Sequence, residues 1–364
     1  MKTYRSVTVG SVFLTVVLCF TATAQDGRIV SKQYDDGGVY EGTLKNGLQD
    51  GIGTYRLPNG YEYTGAWVSG EILGQGEAHF PNGAVYQGHF AKGKPDGIGK
   101  ITFGDGGTYQ GNWSEGMISG RGVSVYSDGT RYDGEFRDGM HNGSGIMTYP
   151  DGAIYEGTWV NNKKQGQAKV TYPDGALYIG EISDGLRDGE GTLTMPDGVI
   201  YEGTWQAGEI SGAGRLEQPN GDNYEGMLEG GRRQGKGVVV YANGNIYNGD
   251  FDQDQRHGQG EFTSKDGYKY IGSWSRGQIV GEGKAIYPDD TIYSGSFSAD
   301  LPDGTGTITY PSGEVYKGQW SAGNIHGRGL ATYPNGVTYE GEFRDTQYHG
   351  KGIMTHTEGY RYDG

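Results

Sequence analysis

Tyr155-Glu156-Gly157-Thr158-Trp159 is the stretch that decides the fold. A tyrosine, a glycine two residues on and a large apolar residue two after that recur every 23 residues from Tyr40 to Tyr339, and Tyr362 stands one period further. Fourteen full repeats follow one another without insertion or deletion. Self-similarity at a fixed period of roughly 20–50 residues marks a repeat array and overrides the two or three globular domains that length alone suggests.

Counting the tyrosine as position 1, position 3 is always glycine, and position 5 is always apolar and holds all six tryptophans. Positions 2, 4 and 6 are mostly polar, and alternation with period two predicts a half-buried strand. Position 12 is always glycine; position 14 is glycine except at Ala168. The polar segment Asn161-Asn162-Lys163-Lys164-Gln165 reads as a turn, and a second strand follows with apolar residues at positions 16 and 18, such as Met147 and Tyr149. It ends in Pro150-Asp151-Gly152, where proline fixes φ and glycine accepts positive φ. The predicted fold is all-β: an elongated single-layer antiparallel meander of consecutive 23-residue β-hairpin repeats. With 28 strands about 4.8 Å apart, the sheet is expected to run on the order of 130 Å.

The expected register sets position 5 opposite 14, position 3 opposite 16 and position 1 opposite 18. Each Trp or Phe then covers a glycine and each tyrosine lies beside another ring. A second period supports this. Position 5 alternates Trp67, Phe90, Trp113, Phe136, Trp159 and again Phe251, Trp274, Phe297, Trp320, Phe343. Position 16 is small beside tryptophan (Ala78, Ser124, Ala285, Ala331) and larger beside phenylalanine (Ile101, Met147, Ile308, Met354). Trp159 with Val170 and Trp205 with Leu216 fit less well, and the phase slips between Trp205 and Trp274, where a change of twist is expected.

Almost all of the 72 glycines fall in five columns of the repeat, so they are structural punctuation. Residues 1–24 lie outside the pattern. Lys2 and Arg5, the apolar run Val7 to Phe20 and the small residues Ala22-Thr23-Ala24 read as a secretory signal peptide cut before Gln25. Cys19, the one cysteine, leaves with it. Residues 25–39 form an N-terminal half-repeat, 40–361 the fourteen repeats, and 362–364 the start of a fifteenth. A net charge of −15 disfavours nucleic acid and anionic membranes as partners.

These residues resemble the MORN (membrane occupation and recognition nexus) repeat family, whose unit runs roughly Tyr-Glu-Gly-x-Trp-x-x-Gly-x-x-x-Gly-x-Gly. With the leader, the chain is similar to exported bacterial members. Departures are Ala168, Asp290 at the turn glycine, and Asn162, Asp254, Asp300 and Thr346 at position 8. The resemblance implies a twisted single-layer sheet whose aromatic face binds peptides or helices in some members, with scaffolding or dimerisation as the common role. Phospholipid binding is proposed for the family.

The sequence singles out no catalytic, cofactor or metal residues. Gly230-Gly231-Arg232-Arg233-Gln234-Gly235-Lys236 looks like a phosphate loop, but Gly237 replaces the required hydroxyl residue. Asp250-Phe251-Asp252-Gln253-Asp254 begins like a calcium loop, but Gln255 stands where glycine belongs. His257, His326 and His349 share turn position 11, one or more repeats apart, and read as solvated. Asp151, Asp174 and Asp197 read as turn formers. The reading is a non-enzymatic exported scaffold, periplasmic or secreted, that binds protein or self-associates through the strand edge at Tyr362-Asp363-Gly364. The alternative is a phospholipid or polysaccharide surface. The candidate interaction face is Trp67, Phe90, Trp113, Phe136, Trp159, Trp205, Phe251, Trp274, Phe297, Trp320 and Phe343.

Overall fold

Apolar residues on alternate positions, broken twice per period by residues that accept positive φ, fold each repeat as a hairpin. In the repeat begun by Tyr155, a seven-residue strand, Ile154–Val160, is followed by a nine-residue strand, Lys163–Thr171. The computed structural model describes residues 27–364. Among them are thirty strands and no helix. The signal peptide assigned to residues 1–24, with Cys19, lies outside the described residues.

Two compact units are present. One comprises residues up to Gly104 together with Trp113–Gly116; the other comprises Asp105–Asn112 and Met117–Gly364. Within each, strands pair antiparallel with their chain neighbours. In the first, Val30–Gln33 pairs with Val39–Lys45, Lys32 facing Tyr40. In the second, Arg361–Asp363 pairs with Gln347–His356.

The connection between the two strands of a hairpin is tighter than the five-residue turn expected from Asn161 to Gln165. Only Asn161 and Asn162 turn, with φ of 49° and 67°, and Lys163 to Gln165 belong to the strand. Positive φ at both central residues is the type I′ geometry that matches strand twist. The turn ending a repeat follows expectation. Tyr149 N–H donates to Ala153 O (2.9 Å), Gly152 N–H donates to Tyr149 O (3.0 Å), and the Asp151 carboxylate accepts from Ala153 N–H (2.9 Å).

The expected register is corrected by two residues. Tyr155 faces Val170 and Gly157 faces Ala168, pairing position 1 with 16 and 3 with 14. Trp159 faces Lys164, at position 10, after a register shift at Gly157/Thr158. On the other side Tyr155 faces Met147, Gly157 faces Gly145, and Trp159 faces Gly143 of the preceding repeat. Position 12 sits in the bulge, and Gly143 and Gly166 take φ of 89° and 75° there. A side chain would be strained in that conformation, hence the invariant glycine. Position 16 therefore faces the tyrosines of position 1, as Ser124 faces Tyr132, and not the glycines of position 3. The pairing runs unchanged through Leu228, where the aromatic alternation slips.

The roles of the rings change with the register. The tyrosine at position 1 covers the glycines: a Cβ at Gly145 would clash with the hydroxyl end of the Tyr132 ring, 2.5 Å from its Cζ and Cε2. That close approach explains positions 3 and 14, and it buries the tyrosines from Tyr40 to Tyr339, Tyr40, Tyr63, Tyr86, Tyr109 and Tyr132 all at 0% exposure.

Candidate functional site

Where position 5 carries a ring, the buried tyrosine meets edge-on the one in its own repeat and the one in the next. Tyr63 lies 5.7 Å from Trp67 and 5.0 Å from Phe90, both at 77°. From Tyr224 to Tyr339 such contacts alternate without a break through Phe251, Trp274, Phe297, Trp320 and Phe343. T-shaped pairs of this kind add about 0.5–1.5 kcal/mol each beyond area burial. Position 5 carries no ring at Leu44, Ile182 and Leu228, and the ladder is interrupted at the last two.

The tyrosine hydroxyl is spoken for. Tyr247 donates to Asp250 O at 2.9 Å and Tyr316 to Gln319 O at 2.9 Å, three residues on in each case. Burial pushes the hydroxyls of Tyr86, Tyr155, Tyr201 and Tyr316 up to about 12. They are neutral structural donors at any physiological pH. Five tryptophans donate Nε1–H to the position-14 glycine carbonyl of the preceding repeat, as Trp67 does to Gly53 (3.2 Å) and Trp205 to Gly191 (3.3 Å). Trp159 Nε1 is buried without a hydrogen-bond partner.

All eleven rings of the candidate interaction face are thus placed in the core, none more than 8% exposed. What varies on the same face is position 10, which the sequence reading assigned to a turn. Lys164 Nζ stands 4.7 Å from the Tyr155 ring centre. Arg187 lies 3.9 Å over Trp205 and donates to Gly208 O (2.8 Å); Arg256 lies 4.2 Å over Trp274 and donates to Gly277 O (2.8 Å). Arg233 lies 5.1 Å over Phe251 and donates to Asp254 O (2.7 Å). Guanidinium over an aromatic face is attracted by the ring quadrupole, about 0.5–2 kcal/mol per contact. The same row carries isoleucine at Ile118, Ile210, Ile279 and Ile325. It carries His141 in the Tyr132 repeat and Tyr348 in the last. His141 is buried, stacks on Tyr132 at 3.8 Å, and hydrogen-bonds the Tyr126 hydroxyl through Nε2 at 2.7 Å. Burial pulls its pKa down to about 4.

A cleft of about 460 Å³ opens on this face between Tyr310, Glu314, Tyr333 and Tyr348. The Tyr333 and Tyr348 hydroxyls are hydrogen-bonded at 2.6 Å. Nothing in the sequence reading marked it; the signals were the lone glutamate of its column, Glu314, and the lone aromatic at position 10, Tyr348.

The motif-like segments fall into repeat geometry. Gly230 and Gly231 form a hairpin turn with φ of 55° and 78°, and Arg232–Val240 is a strand. Asp250 and Asp252 lie on the strand Ile246–Asp252, with Gln253 and Asp254 in the next turn. His257, His326 and His349 are exposed. Asp174 and Asp197 accept turn N–H groups from Ala176 and Val199. Among the described residues no three His, Cys, Asp or Glu side chains converge on a metal position.

Comparison with known proteins agrees with this geometry. Alsin of Rattus norvegicus is 49% identical over 55 residues, 14% of this chain and 3% of that one; alsin of Homo sapiens is 46% identical over 55 residues. The chain thus spans about 3% of the length of these relatives. Among solved structures, the SAS-4 TCP domain in complex with a proline-rich motif of Ana2, from Drosophila melanogaster, is 16% identical. It covers 43% of this chain and 85% of that one at a TM-score of 0.29. A streptogramin B lyase is 13% identical, covers 80% and 90% of the two chains and scores 0.13. Superpositions this loose imply no shared ligand or role. The MORN repeat profile, in contrast, matches fourteen consecutive segments from residues 40–60 to 339–359, in phase with the hairpins. With nearly every residue of that span inside a matched segment, the chain belongs to the MORN repeat family.

Proposed function

We propose that this protein is a non-enzymatic scaffold that holds a polypeptide partner along the ring-bearing face of several consecutive repeats. The observation that supports the reading is the division of that face into constant and variable rows. Positions 1, 3 and 14 repeat almost without change and build the fold. Position 10 differs from repeat to repeat, from isoleucine to histidine, lysine, arginine and tyrosine. Strand spacing separates its residues by about 10 Å from one repeat to the next, so the row can distinguish successive segments of an extended chain. Chemistry needs one unique constellation, whereas shallow, adjacent, non-identical sites favour extended contacts whose affinities combine.

Export is part of the proposal and rests on residues 1–24, with Lys2 and Arg5, an apolar run and Ala22-Thr23-Ala24. Sequencing the N-terminus of the protein from its native host is expected to give Gln25.

Peptide display against the full chain, followed by binding to variants, tests the scaffold. Arg187→Ile, Arg233→Ile and Arg256→Ile install the residue that neighbouring repeats already carry, so the fold is kept. Each exchange is expected to weaken selected peptides by a few-fold, and the three together by much more. Peptides that bind all variants as they bind the parent would sink the reading. Competition by lipid vesicles or polysaccharide would replace it with the surface-binding alternative.

A further inference from the structure

We propose that the cleft framed by Tyr310, Glu314, Tyr333 and Tyr348 is a receptor for the guanidinium group of an arginine side chain on a partner polypeptide. It rests on the reading that this face receives a polypeptide. The Glu314 carboxylate makes no ion pair or hydrogen bond among the described residues, although it is half-buried. Its turn is fixed: Tyr310 N–H donates to Glu314 O at 2.9 Å, so backbone geometry carries the carboxylate to the cleft. The lining contains no lysine, arginine or histidine. Beside the carboxylate the lining offers the rings of Tyr310, Tyr333 and Tyr348, with two hydroxyl oxygens that share a hydrogen bond of 2.6 Å, over an apolar floor that includes Ile325 and Phe343. Burial pushes the Tyr310 and Tyr348 hydroxyls up, Tyr348 also through its hydrogen bond with Tyr333, and the carboxylate supplies the negative charge of the cleft.

The same face shows what fits against these rings. In the repeats begun by Tyr178 and Tyr247, position 10 supplies the chain's own guanidinium, 3.9 Å over Trp205 and 4.2 Å over Trp274. In the last repeat Tyr348 holds position 10 and lies against Tyr339 at 3.9 Å, so no internal cation arrives. A planar guanidinium stacks on an aromatic face and pairs bidentately with a carboxylate, and an ammonium does only the second in part. Arginine is therefore preferred over lysine. The net charge of −15 favours the approach of a basic segment.

The test uses the full chain and fluorescence anisotropy of a dye-labelled, blocked short peptide with a single arginine. Counterparts carry lysine or the uncharged isostere citrulline. Saturable binding of the arginine peptide is expected, several-fold weaker for lysine and at least ten-fold weaker for citrulline. Glu314→Gln should cost at least ten-fold, and Tyr348→Ile, which installs the isoleucine that Ile325 and Ile279 already provide at this position, several-fold. Glu209→Gln, an exposed acid away from the cleft, should leave binding unchanged. Circular dichroism and the thermal midpoint confirm that each variant folds, and Glu314→Gln alone decides the matter if Tyr348→Ile does not. Equal affinity for citrulline, an unaffected Glu314→Gln, an equal loss in Glu209→Gln, or no saturable binding overturns the proposal. Because the probe needs no natural partner, the cleft and the scaffold reading fail separately.

Discussion

His141 lies flat on Tyr132, ring centres 3.8 Å apart and planes 29° from parallel, while its edge meets Trp159 at 5.1 Å. In this repeat an imidazole takes the place that isoleucine or arginine takes elsewhere, and Trp159 is the tryptophan whose indole N–H has no partner.

A buried imidazole with its pKa near 4 makes stability depend on acid. The unfolded chain takes up a proton as pH falls below about 6.5, and the folded chain does not until about 4. The contribution of neutral burial is therefore complete above 6.5 and is lost as pH falls toward 4, on the order of 3 kcal/mol at most. Tyr126 and Tyr132, the titratable groups against it, are both shifted upward by burial and stay neutral throughout. Urea midpoints of His141→Ile should fall less steeply than those of the parent between pH 6.5 and 4. Parallel curves would show that the ring protonates while folded.

Trp159→Phe should cost less than Trp205→Phe. Both lose ring area, but only Trp205 gives up a hydrogen bond, to Gly191 O at 3.3 Å. The difference is expected at about 1 kcal/mol in denaturant unfolding. Equal costs would mean the Trp205 bond contributes nothing net.

Gly145→Ala drives a methyl against the hydroxyl end of the Tyr132 ring and should destabilise by roughly 1–3 kcal/mol. Ala168, at the equivalent position one repeat later, is already accommodated at 6% exposure. Ala168→Gly should change stability by no more than about 1 kcal/mol. Thermal midpoints of the two variants in the same buffer check both.

Thr346 has φ of 69° in a two-residue turn, a conformation costly for a β-branched side chain. Thr346→Gly, the residue most repeats carry there, should stabilise by about 1 kcal/mol. Its N–H bond to Ile325 O at 3.0 Å is retained, since glycine keeps the donor. A lowered thermal midpoint would show that chain entropy outweighs relief of strain.

Much of this architecture was legible because each constraint recurs fourteen times. The glycines at positions 3 and 12 and the buried tyrosines are each a local requirement, restated in every repeat. The register was not legible, and the reason is geometric. Sliding one strand by two residues leaves every side chain on its original face, so alternation fits the expected pairing of Trp159 and the observed pairing equally well. The bulge at Gly166 and the two-residue turn at Asn161-Asn162 decide between them, and neither leaves a mark in polarity. For the same reason Lys164 reads as a turn residue, and nothing in polarity sets Arg187, Arg233 and Arg256 against a ring. A charged side chain looks misplaced on a buried face until a ring beneath it is known. The cleft at Glu314 needed three strands in register before its members met.

Because bonded strands in each unit are chain neighbours, closing any hairpin requires ordering little more than its own loop. Relative contact order stays low however many repeats are added, and folding rate follows contact order more closely than length. Stability then grows by a near-constant increment per repeat. Gene duplication or deletion in steps of one repeat preserves the register on both sides of the junction. Array length is in that sense a quantity selection can adjust without redesigning the fold, and a variable row such as position 10 is rewritten one repeat at a time.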